Sequence, residues 1–281
     1  MKKGINRWAF RDELPLRDVF TLAHDAGFDG VELVLDKTGD ITLKSTASDM
    51  AQIASLARET GVELYSLATS LYWEHSVTSD DPEIRESGIK VACHQMDMAS
   101  ALGCETILFV PGGVYVPFVP GYRHISYADA YDRALEAVIR LGEYAKKTGV
   151  ILGVENVWNH FLLSPIEFRD FIDKADNSYI KAFFDCGNCT AFGFAEDWIR
   201  ILGNRIDKLH FKDYRRDTGN GNLSGFVDLL SGDVDYIEVK RALDEIGYTG
   251  WATAEMLPPY VCYPEQLIYN TSAAMDRILG K

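Results

Sequence analysis

The chain of 281 residues is 47% apolar and 25% charged, long for two small domains and natural for one large α/β unit with a substantial core. Its 42 acidic and 28 basic residues leave a formal charge of −14, and no local basic patch offsets it, which argues against a nucleic-acid partner. Five scattered cysteines (Cys93, Cys104, Cys186, Cys189, Cys262) make no disulfide framework, MKKGINRWAF carries no apolar signal segment, and no apolar run approaches the roughly 20 residues that span a bilayer. A cytoplasmic protein without a membrane partner is expected.

Along the chain, short strand-like runs alternate with amphipathic helical stretches. GINRWAF (4–10) comes first, followed by a helical LRDVFTLAHDAG with Val19, Leu22, Ala23 and Ala26 on one stripe. GVELVL (30–35) leads into SDMAQIASLARETG, where Met50, Ile53, Leu56 and Ala57 keep helical spacing. ELYSLAT (63–69), TILFVPG (106–112), ILGVEN (151–156), KAFFDCG (181–187), DKLHFKD (207–213) and WATAEM (251–256) complete eight strands. YADAYDRALEAVIRLGEYAKKTG and YIEVKRALDEIG repeat the helical pattern, and Gly27, Gly61, Gly103, Gly149 and Gly247 each close a helix.

Eight βα units predict a single (β/α)8 TIM barrel over residues 1–281. A doubly wound open sheet would place a Gly-rich phosphate fingerprint after its first strand, and NRWAFRDELP has none. The polar RRDTGNGNLSG (215–225) reads as a loop after the seventh strand.

A barrel gathers the C-terminal ends of its strands at one mouth. Asp185 ends the apolar IKAFF, a costly place for a lone carboxylate. Glu155, His210 and Glu255 stand at the equivalent ends of strands five, seven and eight. Any one of them alone reads more simply as a helix cap, an Asx-turn, a core histidine or an arginine partner. Four on consecutive strands point instead to one divalent metal ion. Their oxygen and nitrogen donors suit Mn²⁺, Mg²⁺ or Co²⁺ more than a thiolate-rich zinc site, with Zn²⁺ still open. Cys186-x-x-Cys189 has no second CxxC and reads as two small residues at a turn.

Lys212 is two residues after His210, on the same side of the strand, and either binds a substrate oxygen or pairs with Asp185 or Glu255. Trp158, Asn159 and His160 after strand five, Trp8, and Glu74 and His75 after strand three are candidates for a substrate wall. The turn at 111–113 offers backbone N–H groups to a phosphate.

GVEN, FDCGN, LHFKD, SGDVDY with ALDEIGYTG, and AEM resemble the xylose isomerase-like TIM barrels, in the sugar and sugar-phosphate isomerase/epimerase branch, over essentially the whole chain. The resemblance implies that Glu155, Asp185, His210 and Glu255 hold the metal, while Glu155 and Glu255 also move the proton through a cis-enediolate. A small sugar substrate and a homo-dimer or homo-tetramer are implied as well. Asn188 stands where many free-sugar epimerases carry a substrate-binding histidine, and DCGN is closer to the pentulose-phosphate 3-epimerases, which favours a phosphorylated substrate. Arg216, six residues past His210, matches a substrate-binding arginine, with Arg215 a neighbouring alternative. The 44 residues between His210 and Glu255 are longer than expected and put a long loop at the mouth.

Rival readings within the fold are an abasic-site endonuclease and a dehydratase of inosose or dehydroshikimate. The endonuclease lacks its expected histidines at Asn188 and in FKDYR. A sugar-binding barrel without catalysis is the non-enzyme alternative.

Overall fold

The computed structural model describes residues 1–220 and 222–281. The eight strands are β1 (Lys2–Asn6), β2 (Gly30–Asp36), β3 (Glu63–Thr69), β4 (Thr106–Phe109), β5 (Ile151–Glu155), β6 (Ile180–Asp185), β7 (Ile206–Phe211) and β8 (Trp251–Ala254). Each pairs in parallel with the next, and β8 returns to β1, so the sheet closes. Closure removes the free edges, and helices cover the outside, which explains why these strands read as nearly continuous apolar runs. The architecture is the (β/α)8 TIM barrel expected from the sequence.

The helices are α1 (Leu16–Asp25), α2 (Ala47–Thr60), α3 (Pro82–Leu102), α4 (Tyr127–Thr148), α5 (Pro165–Lys174), α6 (Ala195–Leu202), α7 (Tyr236–Glu245) and α8 (Pro264–Leu279). Their starts follow from local chemistry. Thr46 and Asp49 form a reciprocal capping box on α2, and Ser164 caps α5 with Pro165 in its first turn. The five glycines read as helix stops all take the left-handed backbone that suits this position. Among the described residues, no helix is long and apolar enough to cross a membrane.

Three local expectations are corrected. The first strand begins at Lys2 and ends at Asn6, because the Asn6 side chain accepts from Trp8 N–H at 2.8 Å and starts a 3-10 turn over Arg7–Ala9. The fourth strand stops at Phe109, two residues before Pro111, which has no N–H for a ladder. The 215–225 stretch is more than a loop: it holds a helical turn (Arg216–Gly219) and a 3-10 turn (Leu223–Gly225), and it is flanked by Asp213–Tyr214 and Phe226–Val227, which pair antiparallel. Gly221 lies outside the described residues.

The end of the barrel opposite the mouth is filled by aromatic packing. Tyr65 and Trp251 stack at 3.7 Å, and the Tyr65 hydroxyl shares a 2.8 Å hydrogen bond with Thr253. This arrangement requires glycine at position 4, where a Cβ would lie 2.0 Å from the Tyr65 hydroxyl. Gly4→Ala therefore overpacks the barrel and is expected to cost about 1–3 kcal/mol. Urea denaturation monitored by circular dichroism checks this, and an unchanged midpoint would contradict it.

Candidate metal centre

The mouth is built from residues where the barrel strands end. Glu155 and Asp185 are the last residues of β5 and β6, His210 is the penultimate residue of β7, and Glu255 follows β8 directly. Asp185 is in register with His210, and Glu255 stands two residues beyond Thr253, the register partner of His210 on β8. One ligand atom from each of Glu155, Asp185, His210 and Glu255 lies within 4.8 Å of the others, and all four residues are buried. The structure thus brings together the four residues expected to hold a metal.

His210 is the hub. Its Nε2 lies 2.7 Å from Glu32 Oε1. A carboxylate only accepts, so Nε2 carries the hydrogen, and Nδ1 is the nitrogen whose lone pair is available to a cation. That Nδ1 lies 2.7 Å from Glu255 Oε2, 3.8 Å from Glu155 Oε1 and 3.9 Å from Asp185 Oδ2. Among the described residues, neither His210 Nδ1 nor Asp185 Oδ2 finds a hydrogen-bond partner, although both are buried. Buried polar atoms rarely go without one, and two aimed at a common point fit a cation between them.

The charge balance agrees. Among the described residues, Glu32, Glu155, Asp185 and Glu255 are buried carboxylates whose basic partners are Lys212 and His210. With His210 neutral, as a free Nδ1 lone pair requires, Lys212 is left to offset these carboxylates, and a divalent ion would offset most of the negative charge that remains. Burial, opposed by His210 and reinforced by Glu255 and Asp185, pushes Glu155 up to about 7. Glu255 meets the same burial, but Lys212 and His210 outweigh it and hold the carboxyl at about 2. The His210 imidazole is also disfavoured as a cation by burial, yet Glu32 and Glu255 raise it well above its ordinary range.

Short-range contacts hold these groups in place. Asp185 Oδ1 accepts from Asn188 N–H at 2.7 Å and caps the helical turn Cys186–Thr190, which leaves Oδ2 for the centre. Gly187 lets that turn lie against β7: a Cβ there would come within 2.7 Å of the Lys212 carbonyl oxygen. The Asn156 amide donates to the Asp185 carbonyl at 2.9 Å and accepts from Asp185 N–H at 2.8 Å, fastening β5 to β6. Glu32 also accepts from Asn6 Nδ2 and Ser66 Oγ, each at 2.5 Å. Sequence reasoning assigned no role to Glu32 or Asn156. The available signal for Glu32 was the one that exposed Asp185, a charge inside an apolar strand.

The residues proposed for substrate contact divide in two. Asn188, Lys212 and Trp158 line a cavity of about 740 Å³ above the four candidate ligands. Lys212 Nζ lies 2.9 Å from Glu255 Oε1 and 3.3 Å from Asp185 Oδ2, and Trp158 donates its indole N–H to the Asn188 carbonyl at 2.8 Å. Arg216 and His75 are not in that lining. Arg216 donates to the carbonyls of Thr190 at 2.7 Å and Gly193 at 3.0 Å, because the helical turn beginning at that residue directs it there. His75 Nδ1 is paired with Ser87 on α3 at 2.8 Å.

A family model for the xylose isomerase-like TIM barrel matches residues 20–277, and the chain belongs to that family. A curated relative from Escherichia coli strain K12, "Putative L-ribulose-5-phosphate 3-epimerase SgbU", is 26% identical over 262 residues, covering 90% of this chain and 87% of the relative. An inosose dehydratase from Geobacillus thermodenitrificans is 22% identical over 255 residues, covering 77% and 83%. Among solved structures, that of an L-ribulose 3-epimerase superposes with a TM-score of 0.81 at 17% identity, covering 99% of this chain and 94% of the other.

The Glu32 contact generates a test. Partners of a metal-bound histidine commonly change metal affinity about 10–100-fold when replaced. Glu32→Gln is expected to weaken Mn²⁺ binding by that factor in isothermal titration calorimetry, with the circular dichroism spectrum retained. Unchanged affinity would remove Glu32 from the centre.

Proposed function

We propose that this chain is a divalent-metal-dependent sugar epimerase that moves a proton between its substrate and the two glutamates Glu155 and Glu255. The observation that carries this reading is the placement of two buried glutamates, on β5 and after β8, around the same imidazole nitrogen. Membership of the family and the epimerases among the relatives support it.

Glu155, Asp185, His210 Nδ1 and Glu255 would hold the ion. When bound, it would draw electron density from a ketose carbonyl and acidify the adjacent C–H. One glutamate, as carboxylate, removes that proton and leaves an enediolate. The other returns a proton to the opposite face, which inverts the carbon. Lys212 holds Glu255 charged and opposes the negative charge that develops on substrate oxygens. Trp158 has its indole N–H committed to Asn188, so the ring offers the sugar an apolar surface. Glu155, Asp185, His210 and Glu255 are buried, which sets the proton-transfer groups apart from bulk water.

Elimination of water from a cyclic ketone begins with the same proton removal, and an inosose dehydratase stands among the relatives. Product analysis separates the two, because a dehydratase yields a product lighter by one water.

Incubation with keto-sugars in D₂O is expected to place deuterium on the carbon beside the carbonyl. Glu255→Gln should lower that exchange by about 10²–10⁴-fold without unfolding the chain; exchange at the original rate would refute the acid/base assignment. Exhaustive chelation should abolish exchange, and Mn²⁺, Co²⁺ or Mg²⁺ should restore it, whereas full activity in stripped protein would remove the metal from the mechanism.

A further inference from the structure

The cavity above the metal centre is several times larger than a lone pentose or hexose, and its upper walls are apolar. Its floor carries Glu155, Asn188, Lys212 and Glu255. Higher up it is lined by Trp8, Trp73, Phe118, Phe226, Leu257 and Pro258. Trp73 and Phe118 meet edge to face with ring centres 5.0 Å apart, and the two side chains come from the loops after β3 and β4. Such a wall gives the hydroxyls of a bare sugar few hydrogen-bond partners, and fits a flat apolar group.

The same walls suit a phosphate poorly. Lys212 is the sole basic side chain lining the cavity among the described residues, and it is paired with Glu255 and Asp185. Arg216 is held by two backbone carbonyls, and Arg215 donates to the Ser231 carbonyl. The glycine turn proposed as a phosphate cradle is engaged too, since Gly113 N–H donates to Thr78 Oγ1 at 2.9 Å. Asp228 adds a further carboxylate to the lining. A phosphate dianion would enter an already acidic pocket without a free donor cluster to receive it.

We propose, building on the epimerase reading, that the substrate is a keto-sugar carrying an uncharged aryl aglycone, a glycoside and not a sugar phosphate. The keto-sugar lies on the polar floor against Glu155 and Glu255. The aglycone occupies the apolar upper part, beside Trp73, Phe118 and Phe226. The hairpin formed by 213–214 and 226–227 contributes Phe226 and Val227 to this wall, which gives a role to the extra length between His210 and Glu255. The phosphorylated substrate favoured by the DCGN arrangement is replaced by this proposal.

Binding to the Mn²⁺-loaded chain, read by isothermal titration calorimetry, tests it. The probes are the methyl and phenyl 3-keto-D-glucopyranosides, and L-ribulose beside L-ribulose 5-phosphate. The phenyl glycoside is expected to bind about tenfold or more tighter than the methyl one, as burial of one face of a ring predicts. L-Ribulose 5-phosphate is expected to bind more weakly than L-ribulose. Phe118→Ala, at a half-buried loop position, should shrink the phenyl-to-methyl ratio. Equal affinity of the two glycosides, or tighter binding of the phosphate than of its parent sugar, overturns the proposal. Deuterium exchange on L-ribulose with a flat glycoside ratio would defeat this inference alone. A clear phenyl preference without exchange on any probe would defeat the epimerase reading and leave the binding class standing.

Discussion

Four carboxylates are held out of water within reach of a single imidazole, and most of what is distinctive about this barrel serves that arrangement. Bringing such charges together in a low-dielectric site is strongly unfavourable unless positive charge is placed among them. The chain supplies part of it through Lys212, and a divalent ion beside His210 Nδ1 would supply most of the rest. The Glu155 carboxyl, raised to about 7, shows how strongly burial and its neighbours act against another negative charge there.

The surrounding scaffold keeps the charged groups from relaxing apart. Asn156 ties β5 to β6 through both of its amide atoms, and the Asp185 cap fixes one carboxylate oxygen while leaving the other free. Glu32, itself held by Asn6 and Ser66, sets which nitrogen of His210 faces the ligands. These contacts reach from β1 through β7, so the centre is a property of the closed barrel. At the opposite end, Gly4 and the Tyr65–Trp251 stack close the cylinder on which the strand positions depend.

The barrel and the four candidate ligands at its mouth were legible because each has a local signature. Repeating strand and helix periods announce the units, and a charge that ends an apolar strand announces a ligand. Glu32 is a charge inside an apolar strand, GVELVL, but its partner is 178 positions away and nothing local names it. Arg216, matched by resemblance to a substrate-binding arginine, donates to the carbonyls of Thr190 and Gly193, partners that nothing local in the sequence names. The apolar upper wall was largely invisible, since Trp8, Trp73, Phe118, Phe226 and Leu257 come from five separate loops. Loop side chains converge through tertiary packing, for which sequence periodicity carries no record.

The most direct test of the central claim is anomalous X-ray diffraction from crystals of this chain soaked in Mn²⁺. The account predicts one strong anomalous peak, bounded by Glu155, Asp185, His210 Nδ1 and Glu255, with Glu32 still paired to His210 Nε2. No peak at that position, or occupancy by the Lys212 ammonium alone at saturating Mn²⁺, would contradict it.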